Sequence, residues 1–185
     1  MDYLKELIFN YNKLIYNSGL NSLRDGNISL HHDNKLYITP KKSDGGPLTN
    51  RSIEAKDILC WPMGGQPEGN PSSEWRKHFA LFNQYSQVKA IIHCHAPHAI
   101  ALATKLAKDK NEQQYQHYFL EYSEYQHYDA PPILREDIIP LNESKPYDTV
   151  VCPFHGVSSV GKDLATAFEK LERLEYYSKI ILLTL

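Results

Sequence analysis

Residues His93–Ala103 read HCHAPHAIALA and follow VKAII at Val88–Ile92. The branched apolar run is expected to be a buried strand, and Pro97 is expected to open a helix through PHAIALATKLA. The two histidines therefore fall at a strand end. Side chains two apart on a strand share a side, so His93 and His95 aim their imidazoles at one point while Cys94 faces away. That geometry suits a metal, with two solvated histidines in a turn as the plain alternative. Two further stretches favour the metal: PSSEW at Pro71–Trp75 carries a carboxylate, and CPFHG at Cys152–Gly156 places a lone histidine after the strand-like run TVVC. Structural zinc sites are closed by four ligands and are usually cysteine-rich, whereas catalytic sites use three protein ligands and keep a position open. Three histidines plus a carboxylate are the open kind.

A chain of 185 residues, 42% hydrophobic and 23% charged, is expected to form one globular domain over residues 1–185 with a sizeable core. The formal net charge of -2 gives no global field toward nucleic acid or an anionic membrane surface, so neither partner is expected. MDYLKELIFNYNKL lacks a basic leader and no run reaches the length of a membrane span, which points to the cytoplasm. Cys60, Cys94 and Cys152 stand outside any C-x-x-C pattern and are expected to be reduced, buried thiols.

Leu4, Leu7, Ile8, Tyr11, Leu14 and Ile15 recur at helical steps, and Asn17, Ser18 and Gly19 end that helix. NISLHH and KLYIT flank Asp33-Asn34, so Asn27–Thr39 is expected to be a hairpin. The loop PKKSDGGPLTN and the stretch PMGGQPEGNPSS border either a site or open surface. Ser72 or Ser73 can cap a helix beginning near Glu74, and the same first turn can meet an anion. The aromatic run QQYQHYFLEYSEYQHYDAPPI shows poor periodicity and reads as a ligand wall, a subunit contact or packing under a loop. Leu164, Ala167, Phe168, Leu171, Leu174, Tyr177 and Ile181 mark a last amphipathic helix. Together these elements give an α/β chain with helices on a largely antiparallel or mixed sheet.

Six motifs in order, GNIS (Gly26–Ser29), YITP (Tyr37–Pro40), PSSEW, HCHAPHA, HY (His117–Tyr118) and FHG (Phe154–Gly156), resemble the class II aldolase/adducin family. That family includes fuculose-phosphate and rhamnulose-phosphate aldolases and ribulose-phosphate 4-epimerase. The resemblance implies a three-layer α/β/α fold, His93, His95 and His155 as metal ligands, Glu74 as the acid/base group, and Tyr118 acting on the leaving aldehyde, with a core tyrosine as the alternative. Three neutral imidazoles leave a divalent ion its full charge for polarising an oxygen. Zinc is the expected ion, with manganese, iron and cobalt left open. His98 is expected beside the ligands or in packing, while His31, His32, His78 and His127 have no motif support.

The implied activity is a zinc-dependent lyase that cleaves or forms a carbon–carbon bond in a small sugar phosphate or related hydroxy-ketone through a metal-stabilised enediolate. Relatives form cyclic homotetramers, so a homotetramer is expected. Epimerisation, dehydration or decarboxylation of a sugar phosphate is the enzymatic alternative, and an adducin-like assembly module the non-catalytic one. The epimerase has aspartate at the position of Glu74, and adducin-type domains lose the metal ligands. Asn27, Ser72 and Ser73 match the family's phosphate-binding positions, but Lys41 and Lys42 stand where aldolases have a small residue and glycine. Two flexible charges are expected in place of a close backbone cradle, unless the loop slides and Ser43–Gly46 take over. The aldolase tail that lends a tyrosine to a neighbouring subunit is expected to be absent after Leu185.

Overall fold

Asp33 and Asn34 both have positive φ, 47° and 57°, and close the hairpin between β1 (Asn27–His32) and β2 (Lys35–Ile38). Two left-handed residues in a two-residue turn match the twist of the flanking strands, and Asp and Asn tolerate that conformation. The hairpin belongs to a sheet completed by β3 (Leu59–Pro62), β4 (Ala90–Cys94), β5 (Thr149–Cys152) and β6 (Gly156–Gly161). The order is β3-β2-β1-β4-β6-β5, and neighbouring strands all pair antiparallel. The computed structural model describes residues 2–122, 129–134, 141 and 143–185. His127 and part of the aromatic run lie outside the described residues.

Alternation along the strands divides the core between the two sheet faces. On β4, Ala90, Ile92 and Cys94 join one cluster and Ile91 the other. The first cluster is covered by α1 (Tyr3–Asn17), α3 (Pro97–Lys108), α4 (Glu112–Leu120) and α5 (Leu164–Thr184). The second is covered by α2 (Trp75–Gln84), through Leu81 and Phe82. Helices on both faces of an antiparallel sheet give the expected layers. Each fully buried Ile or Leu contributes about 1.5–3 kcal/mol.

Helix ends follow from local chemistry. Asp2 Oδ1 accepts the Leu4 N–H at 3.0 Å to start α1, and Asp163 Oδ1 accepts the Thr166 N–H at 2.7 Å to start α5. Pro97 opens α3, whose preceding residue, Ala96, has no side chain to cap it. Glu175 of α5 supplies that cap instead, accepting the His98 and Ala99 N–H groups at 3.0 and 2.9 Å. His98 turns its Nδ1 to the same carboxylate, 2.6 Å from Oε1.

Three features differ from the sequence reading. Strand β4 runs on through His93 and Cys94 rather than stopping at Ile92, because β1 and β6 pair with it on both sides. Strand β6, GVSSVG, carries no clear strand pattern because two serines interrupt its apolar residues. Helix α4 also lacks a clear pattern; its buried side chains, Tyr115 and Phe119, are one turn apart among polar neighbours.

Candidate metal centre and active site

The register of the central strands builds the site. His93 on β4 stands opposite Asn27 of β1 on one side and Ser158 of β6 on the other. Its Nδ1 lies 3.1 Å from Ser158 Oγ, which leaves Nε2 to face outward. His95 is one residue past the strand, where its N–H donates to Leu20 O and to Asn21 Oδ1 at 3.1 and 3.0 Å. Its Nδ1 is 3.5 Å from Asp25 Oδ2. His155 arrives from the turn between β5 and β6.

The three rings form a near-equilateral triangle, with centroids 5.4, 5.2 and 5.2 Å apart. One ligand nitrogen from each lies within 4.8 Å of the others, close enough to converge on a single ion. Burial pulls His95 below the usual imidazole range, with His155 and Lys42 acting the same way against Asp25 and Glu74. A neutral imidazole is the ligand form. Two close approaches leave no slack. A Cβ at Gly156 would meet His93 Cε1 at 2.6 Å. One at Gly26, whose φ is +73°, would meet the His93 carbonyl oxygen at 2.6 Å. The donor set and its tight cradle fit a divalent metal.

Glu74 immediately precedes α2 but does not cap it. Its Oε2 accepts from Asn27 Nδ2 at 2.8 Å and lies 3.6 Å from His93 Nε2. Its Oε1 accepts from Lys77 Nζ at 3.0 Å. The carboxylate is thus turned toward the histidines and away from the helix amides. Capping by serine is reduced to Ser72 Oγ, which accepts the Glu74 N–H at 3.4 Å. One turn on, His78 is buried with Nδ1 2.6 Å from Ser29 Oγ.

A cavity of about 250 Å³ opens over the histidines. Asn27, Ser72, Ser73, Lys41 and Lys42 line it beside Glu74, His93, His95 and His155. The two lysines differ. Lys41 is exposed, but Lys42 is fixed, donating to Gly26 O at 2.7 Å and to Asn50 Oδ1 at 2.6 Å. Burial lowers its pKa to about 8, against the pull of Asp25. The expectation of two flexible charges is therefore corrected at Lys42. The sliding-loop alternative has no support either: Ser43 and Gly46 line a different cavity. Arg24 holds that loop by the carbonyls of Ser43, Gly46 and Leu48, at 2.6, 3.0 and 3.0 Å. Tyr118 is the one expected site residue outside the cavity, its hydroxyl 3.3 Å from Gln114 Oε1 on its own helix.

Ser158, Asp25, Lys77 and the link from Asn27 to Glu74 were invisible to sequence reading, because each depends on pairing or on a loop crossing. His78 carries a sequence signal, since it follows Glu74 by four residues and so falls one turn into the helix that Glu74 precedes.

His78 carries a stability prediction. Burial lowers its pKa to about 3 from 6.5, so the unfolded chain binds the extra proton between those values. Its contribution is complete above pH 6.5 and is lost as pH falls toward 3. Urea melts should show His78→Gln losing less stability than the parent between pH 6.5 and 5, by on the order of 1–2 kcal/mol. Identical pH slopes would contradict this burial.

The family model described as Class II Aldolase and Adducin N-terminal domain matches residues 6–182. An L-fuculose phosphate aldolase of Methanocaldococcus jannaschii is 31% identical over 162 residues, covering 86% of this chain and 85% of that protein. The Escherichia coli L-fuculose phosphate aldolase is 35% identical over 86 residues, 46% of this chain and 38% of its own. A solved L-fuculose 1-phosphate aldolase superposes with a TM-score of 0.77 at 22% identity, covering all of this chain (100%) and 87% of that one. A sugar-phosphate aldolase from Thermotoga maritima gives 0.76 at 19% identity, with 96% and 93% covered. The agreement in fold and in sequence places this chain in the class II aldolase and adducin N-terminal domain family.

Proposed function

We propose that this chain is a metal-dependent lyase that splits a small sugar phosphate into an aldehyde and a ketone fragment. The observation that carries the reading is Glu74, aimed at the imidazole triangle and held by Asn27 on Oε2 and Lys77 on Oε1. Relatives named L-fuculose phosphate aldolase support the substrate class. His93, His95 and His155 would hold the ion, and zinc suits three imidazoles with an open position. When bound, a divalent cation supplies positive charge that stabilises negative oxygen on the ketone fragment. Cleavage takes a proton from the hydroxyl that becomes the aldehyde and returns one to the carbon left behind. Glu74 takes up the proton released by the hydroxyl and returns it to that carbon, and its hydrogen bonds to Asn27 and Lys77 keep it oriented for both transfers.

Lys41, Lys42, Ser72 and Ser73, which line the same cavity, receive the phosphate. Tyr118, half-buried and with its hydroxyl on Gln114 of its own helix, takes no part in these proton transfers; a homotetramer is the proposed assembly. The cytoplasm is the proposed location, supported by the buried reduced thiols Cys94 and Cys152. Among the described residues no helix is long and apolar enough to cross a membrane.

The test is aldehyde release from L-fuculose 1-phosphate and a panel of other ketose phosphates. Release from at least one is expected; epimerised or decarboxylated product without aldehyde would overturn the lyase reading.

Lys41 provides a second check. As an exposed point charge it should strengthen binding of an anionic substrate without touching the bond that breaks. Lys41→Ala should raise KM several-fold and leave kcat within about twofold. The parent's KM should climb with salt and the variant's should be flatter. Equal KM values with no salt response in either protein would remove Lys41 from the site.

A further inference from the structure

Four residues, Cys152–His155, make the turn that delivers the third imidazole, and the His155 N–H donates to Cys152 O at 3.2 Å. Pro153 at the second place cannot adopt positive φ, but Phe154 at the third has φ +64°. That combination is a type II turn, whose third place is normally glycine or asparagine. A bulky aromatic there is strained, and inverting the Pro153–Phe154 peptide would relieve it by giving a type I turn with φ about −90°. Packing of the ring does not offset the strain, because Phe154 is 68% exposed and, among the described residues, Lys108 Nζ, 5.7 Å from the centroid, is the charged group that lies over it. What opposes the inversion is the peptide's own N–H, which donates to Thr104 Oγ1 of α3 at 3.0 Å. Inversion would turn that N–H away from α3 and break the bond. A net hydrogen bond and one left-handed residue are of similar size, so Thr104 decides the turn.

We propose that Thr104 is a positioning residue for the metal centre, locking the strained turn and so setting where His155 meets His93 and His95. The inference rests on the three-histidine reading above. Helix α3 is well placed for this role. It starts two residues after His95 and is anchored at that end by Glu175. One rigid element therefore references two of the three ligands. Gly156 lies directly against the His93 ring, so a change in the turn is passed to the ligand triangle without slack.

The experiment is a competition titration of zinc against a chelating indicator, with thermal melts confirming the fold of each variant. Thr104→Val, which keeps the shape but removes the acceptor, should bind zinc about 10-fold more weakly or worse. Thr104→Ser should bind as the parent does. Adding Phe154→Gly to Thr104→Val should restore affinity to within about twofold, because glycine holds a type II turn without the bond. Parent-like affinity in Thr104→Val, or a loss that Phe154→Gly does not restore, would overturn the proposal. A parent chain with no zinc affinity would overturn the metal centre itself, and this inference with it.

Discussion

Replacing His155 with alanine is expected to take metal content from one equivalent per chain to near zero after dialysis, with the fold retained. The two remaining imidazoles, on β4 and just beyond it, supply too few ligands for a site that already keeps a position open. Structural damage should be small, since His155 belongs to a turn and to neither apolar cluster. Elemental analysis beside a thermal melt separates the two effects. Full occupancy in the variant would mean that the ion is held elsewhere.

Glu74→Gln should fold, keep its metal and lose turnover by about 10²-fold or more. The amide is the same size and its oxygen can still accept from Asn27 or Lys77, so orientation survives the change. What it lacks is the ability to take up and return a proton. The fall should appear in kcat with KM little altered, because the group acts on the reacting carbon and not on the phosphate. Turnover near that of the parent would reduce Glu74 to a residue that happens to begin a helix.

Much of the scaffold was legible in the sequence, for physical reasons that differ by element. Helices α1 and α5 carry apolar side chains at every turn, and the β1–β2 hairpin has Asp33-Asn34 at its tip, so local pattern decided them. The spacing of His93 and His95 placed two imidazoles on one side of a strand end, the geometry seen in the structure. Strand β6 escaped because its burial comes from neighbours on both sides and not from its own composition. With it went Ser158, whose partnership with His93 exists only in the register of that strand. Lys42 was misread for a related reason. Its two acceptors, Gly26 O and Asn50 Oδ1, lie 16 and 8 residues away on loops that meet only in three dimensions. The candidate ligands and the candidate acid/base group could be read as motifs; the residues that hold them in place are set by tertiary contacts.

The central claim is that carbon–carbon cleavage depends on an ion at the imidazole triangle. Its most direct measurement is aldehyde release from a ketose phosphate by one preparation in three states: as purified, after removal of metal by a chelator, and after one equivalent of a divalent ion is returned. The account predicts activity in the first state, its loss in the second and its recovery in the third. Undiminished aldehyde release by the metal-free protein would contradict it.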